Sequence, residues 1–160
     1  MERVNCILRH PKFRSLLSRL REQEQNRIFC GHGLDHLLSI ARYAALLAAD
    51  QGIHCDREML YAAALLHDLG RVVEYDCGLP HEQAGPLLAK PILSDCGFND
   101  EETSEILSAI AQHRSSLQGE RSFYGELIAR ADKESRPCFL CDAASECNWP
   151  ESKRNHELLR

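Results

Sequence analysis

The stretch Tyr61-Ala62-Ala63-Ala64-Leu65-Leu66 carries no charge and no strand-like alternation, and it ends abruptly in His67-Asp68-Leu69-Gly70. Alanine and leucine in such a run favour a buried helix. The two polar side chains at its end then fall where an unpaired polar group is costly, so His67 and Asp68 need strong partners. Asp68 accepting a hydrogen bond from His67 would satisfy an isolated pair; a divalent cation would satisfy both at once.

The rest of the chain is also helical in character. Ala, Leu, Glu and Arg dominate and β-branched residues are few, which predicts an all-α fold of about six helices. The first spans 11–25, with Phe13, Leu16, Leu17 and Leu20 as its apolar stripe and Arg14, Arg19 and Arg21 facing water. The second starts near Asp35 after Gly31 and Gly33, runs to about Asp50, and buries Leu37, Ile40, Ala41, Ala44 and Leu47. Asp56 caps a third through Leu69, with Gly70 as its stop. Pro80 opens a fourth ending near Cys96 and Gly97, which Pro86 and Pro91 should kink or divide. Asn99 or Asp100 caps a fifth to about His113, and a sixth covers 123–134. With no repeat, low-complexity tract or flexible linker in 160 residues, the sequence reads as a single domain over 1–160.

Charge and hydropathy narrow the function. Apolar residues make up 44% and charged residues 27%, a globular balance. No window approaches the ~18 apolar residues of a membrane span, and charges recur throughout the first turns, so neither a span nor a secretory signal is expected. A net charge of −5 disfavours nucleic acid and anionic lipid as partners. Eight cysteines without an export signal point to reduced thiols or metal ligands, and so to the cytoplasm.

Two more polar side chains interrupt apolar helical faces as His67 and Asp68 do. His36 lies in Leu34-Asp35-His36-Leu37-Leu38, and Asp132 in Ile128-Ala129-Arg130-Ala131-Asp132-Lys133. The order His36, His67-Asp68, Asp132 resembles the HD-domain metal-dependent phosphohydrolase superfamily over residues 32–136. The tail, 137–160, lies beyond that core. The resemblance implies an HD-type helical bundle and a metal-binding role for those four residues. His81 and His113 fall where superfamily members with extra histidines look like two-metal enzymes. Carried over, His36, His67 and Asp132 hold one ion, His81 and His113 the second, and Asp68 bridges. Read locally, His81 could instead merely sit beside Pro80 at a helix start, and His113 could serve as a helix C-terminal cation.

Imidazole and carboxylate suit iron, manganese, zinc or cobalt. Two such ions would activate a shared water, a metal-bound hydroxide, for attack on phosphorus. The catalytic set is then Asp68, Arg71 and Lys133. Arg71 occupies a position where several superfamily members carry a phosphate-touching Lys; with His32, Arg114, Lys133 and Arg136 it makes up the substrate-binding set. Some superfamily 5′-nucleotidases have a Glu at the Arg71 position, so the chain is more similar to families that cleave dinucleoside tetraphosphates or cyclic dinucleotides.

Cys138-x2-Cys141-x5-Cys147 is a second signal, and Cys30 is the thiol chosen to complete it as a zinc or iron–sulfur site. Ordinary reduced cysteines in a loop are the plain alternative. The expected activity is hydrolysis of a phosphate ester or anhydride of a nucleotide-like small molecule. Two rivals share the ligand pattern: a di-iron HD-type oxygenase, and a non-catalytic nucleotide or redox sensor. A homodimer is compatible with the sequence.

Overall fold

The computed structural model describes residues 1–114 and 121–159. Among them are eight α-helices and no strand: α1 (Glu2–Arg9), α2 (Pro11–Gln23), α3 (Leu34–Asp50), α4 (Arg57–Leu66), α5 (Arg71–Cys77), α6 (His81–Asp95), α7 (Asp100–Gln112) and α8 (Phe123–Glu134). The all-α expectation is met, with two short helices added to the six. Arg9 hands over to Pro11 through an extended His10, whose ring accepts from the Lys12 amide and caps α2. The His67–Gly70 turn, expected to close α4, also launches α5.

Local chemistry sets most of the ends. The Asp56 carboxylate accepts from the Glu58 and Met59 amides at 2.7 and 3.0 Å, and Asn99 with Glu102 forms a reciprocal capping box on α7. Pro86 and Pro91 do not divide α6, which runs through both. Pro91 deprives the Leu87 carbonyl of its donor on an exposed side of the helix, where water can replace it.

Leu37, Ile40 and Leu47 of α3 interlock with Leu60, Leu65 and Leu66 of α4, and with Ile92, Ile110 and Ile128 from α6, α7 and α8, in one apolar core. Helix α4 is central, as its uncharged run implied: it packs on α3, α7, α8, α6 and α1. The Arg3 guanidinium fixes α1 by bonding Glu58 of α4 and Glu102 of α7. Gly70 is required by contact and not by its φ, since a Cβ there would collide with the His81 carbonyl oxygen and stand 2.7 Å from the Gly85 amide. The turn after His67-Asp68 and the first turn of α6 therefore cross backbone to backbone. No helix among the described residues is long and apolar enough to cross a membrane.

Candidate metal centre

Helix packing delivers the His and Asp side chains to one place. Asp68, almost wholly buried, stands between two groups of donors. Its Oδ2 lies 3.2 Å from His67 Nε2 and 3.5 Å from His36 Nε2. Its Oδ1 lies 3.4 Å from His81 Nε2 and 3.9 Å from His113 Nε2. Donor atoms of His36, His67 and Asp68 close to within 4.8 Å of one another, as do those of Asp68, His81 and His113. Asp132 joins from α8, its Oδ1 3.3 Å from His36 Nε2.

In three of the rings the outer nitrogen fixes the tautomer. His67 Nδ1 and His113 Nδ1 donate to the Ala64 and Ile110 carbonyls, both at 2.7 Å, and His81 Nδ1 donates to Glu74 Oε2 at 2.7 Å. When the rings are neutral, their Nε2 atoms are bare lone pairs aimed at the centre. Burial, followed by the charge of Arg71, lowers the His81 pKa to about 4; burial, followed by His67, lowers that of His113 to about 4. At neutral pH two lone pairs thus face each other across 3.3 Å, with no proton available to join them. His36 Nε2, His67 Nε2 and Asp68 Oδ2 are likewise buried without a hydrogen-bond partner. Buried polar atoms are rarely left in this state, and a cation on each side of Asp68 would satisfy all of them. The donor set fits divalent metal.

The carboxylates are held ionised. Burial opposes this for Asp68, but the nearby His67 and His36 rings and the Arg71 guanidinium prevail and lower its pKa well below the usual range. For Asp132, burial is likewise outweighed by His36 and by Arg136, whose Nη2 lies 2.5 Å from Oδ1. Arg71 Nε donates to Asp68 Oδ1 at 2.8 Å.

A cavity of about 420 Å³ adjoins the centre, walled by Asp132, His32, Arg71, Arg114 and Arg136. Four of the five predicted substrate-binding residues therefore share one space. The fifth, Lys133, is exposed and outside that wall. Arg136, just past the end of α8, folds back to bond the Asp132 carbonyl and carboxylate, while Lys133, next to Asp132 on the helix, stays on the solvent side. The four thiols of Cys30, Cys138, Cys141 and Cys147 line the same cavity, but no trio of them is among the donor groups that close to within 4.8 Å among the described residues.

Sequence reasoning missed Glu24 and Glu74. Glu24 Oε1 lies 2.5 Å from His32 Nδ1 and 2.8 Å from the Tyr75 hydroxyl, and its Oε2 accepts from the His32 amide. Burial would raise the Glu24 pKa, but the His32 bonds override it and bring it down to about 2. Burial lowers the pKa of His32 itself. The His32 ring is 5.5 Å, centroid to centroid, from that of His36. Glu74 follows Arg71 by one helical turn, a weak signal; nothing in the spacing of Glu24 marks it.

The HD domain family model matches residues 33–145 of the chain. The chain belongs to the HD domain family. A Clostridium beijerinckii relative, an uncharacterized protein, is 36% identical over 158 residues, 99% of each chain. Ribonuclease Y of Acetivibrio thermocellus is 29% identical over 126 residues, and this HD chain spans only 21% of its length. A crystal structure of a predicted HD superfamily hydrolase from an uncultured Thermotogales bacterium superposes with a TM-score of 0.63 at 26% identity, covering 88% of this chain and 80% of that one. The bundle is thus that of HD superfamily hydrolases.

Proposed function

We propose that the chain is a two-metal phosphohydrolase acting on a small, multiply charged phosphate ester or anhydride of nucleotide type. The observation that carries this reading is the position of Asp68, one oxygen toward His36 and His67 and the other toward His81 and His113. His36, His67 and Asp132 would hold one cation and His81 and His113 the other, with Asp68 shared. When bound, such a pair acidifies a water and neutralises charge building on the phosphoryl group.

The chain's own residues supply the rest. Arg71 and Arg136 each hold a carboxylate ligand and keep guanidinium surface in the cavity, where bidentate contact suits phosphate oxygens. Arg114 adds charge at the rim. Glu24 accepts the Nδ1 proton of His32, so its Nε2 is free to accept from a substrate hydroxyl or from water. The arginine-walled cavity suits a small anion, and the net charge of −5 argues against a nucleic-acid polymer.

A phosphate-release screen on metal-depleted protein tests this, with manganese added back under anaerobic conditions. Release by wild type and none by Asp68→Asn is expected. Turnover that requires iron and dioxygen would overturn the hydrolase and favour the oxygenase chemistry that shares these ligands.

A further inference from the structure

We infer that Cys30, Cys138, Cys141 and Cys147, on the tail side of the cavity beside the histidine centre, bind an iron–sulfur cluster that fastens the C-terminal tail to the segment entering α3. The tail poses the problem. Beyond Pro137 the described chain forms three single-turn 3-10 helices, and the residues it buries are Ala143 and Asn155. Ordering a backbone costs on the order of 1–2 kcal/mol per residue, which so little burial cannot offset. Arg154 donates to the carbonyls of Ala144, Cys147 and Trp149, and Asn155 to those of Lys133, Glu134 and Arg136. Each such bond contributes only about 1 kcal/mol net. A segment of this kind needs a covalent or metal staple, as small coreless domains do.

The thiols are placed to provide it. These four of the eight cysteines line one cavity, while Cys6 and Cys96 are free thiols beside each other elsewhere and Cys77 is exposed. Their spacing selects the ligand. A lone zinc with Zn–S bonds of about 2.3 Å draws its sulfurs to roughly 3.8 Å from one another. No trio of these sulfurs meets even a 4.8 Å limit. Sulfurs spread round a cavity suit a larger inorganic core with one thiolate per iron. Arg136 hydrogen-bonds the Cys30 sulfur, and Arg154 and Arg27 share the wall, a cationic setting that suits an anionic cluster. Binding releases the four thiol protons to solvent.

The full chain, purified under anaerobic conditions, should contain about four acid-labile sulfides and about four irons beyond the histidine centre's metals. Its broad visible absorption should bleach with dithionite. Cys141→Ser and Cys147→Ser should each lose at least about tenfold in sulfide, whereas Cys77→Ser should not. Asp68→Asn should retain the sulfide, which keeps this test separate from the hydrolase reading. One zinc per chain without sulfide would overturn the cluster. So would eight freely titrating thiols on folded wild-type protein, a measurement that decides the matter even where a Cys141→Ser chain fails to fold.

Discussion

His67 and Asp68 stand at the end of α4 with their neighbours delivered by regular helices on a continuous apolar core, whereas Cys138, Cys141 and Cys147 stand on single-turn helices that bury almost nothing. The first group is held in place by the fold before any ligand arrives: His67, His81 and His113 have their outer nitrogens bonded, and the carboxylates are clamped by Arg71 and Arg136. In the second, ligand and fold are one problem, because the tail has little else to order it. A metal should therefore add function to the bundle and structure to the tail.

The sharpest way to break this comparison is Asp68→Asn. It should cut phosphate release by roughly 10³-fold or more and lower bound metal, while the helices still melt cooperatively. A proportionate collapse of the fold would show that the centre is structural. His81→Asn should reduce the metal content of the centre from two ions to one, read by elemental analysis.

Gly70→Ala is next. The added methyl meets the α6 backbone at His81 and Gly85, so calorimetry should show a loss of roughly 3 kcal/mol, far more than an ordinary glycine-to-alanine change. Wild-type stability would mean that the turn and α6 can part.

Glu24→Gln sharpens the comparison at the edge of the site. The folded pKa of Glu24, about 2, lies below its ordinary 4.5. Its stabilisation is therefore fully present above pH 4.5 and is lost as pH falls toward 2. The variant should be less stable by roughly 1–2 kcal/mol at neutral pH, with the deficit vanishing in acid. A constant deficit across the titration would assign the loss to packing.

The smallest effect on the bundle should come from stripping metal with a chelator. Limited proteolysis should then release the tail beyond Pro137, while the melting of α1–α8 moves by only a few degrees. Simultaneous loss of both regions would show that the tail supports the core.

Much of this was legible in the sequence wherever local pattern and tertiary demand agree. The uncharged run of α4, the Asp56 cap and the buried faces of α3 and α7 follow from periodicity and capping alone. So does the anomaly of His67-Asp68 after apolar residues. The misses have physical reasons. Helix α1 is short and charged, and its place depends on Arg3 reaching Glu58 and Glu102, far off in sequence. Of the kink or division that Pro86 and Pro91 imply, the division is absent, because the carbonyl that Pro91 leaves without a donor lies on an exposed side of α6. Glu24 acts from α2's C-cap through a bond to His32, and no spacing rule encodes that pairing. Lys133 was drawn in by adjacency to Asp132, although neighbouring positions on a helix point apart.

The contact at Gly70 ties the Asp68 turn to the start of His81's helix so closely that neither can shift alone. If the proposed pair of ions is bound, a change of spacing at one would thus be felt at the other. Such a centre would behave as a single rigid gauge: it would admit or refuse a pair of cations by their common size, and could not be retuned for one without retuning both.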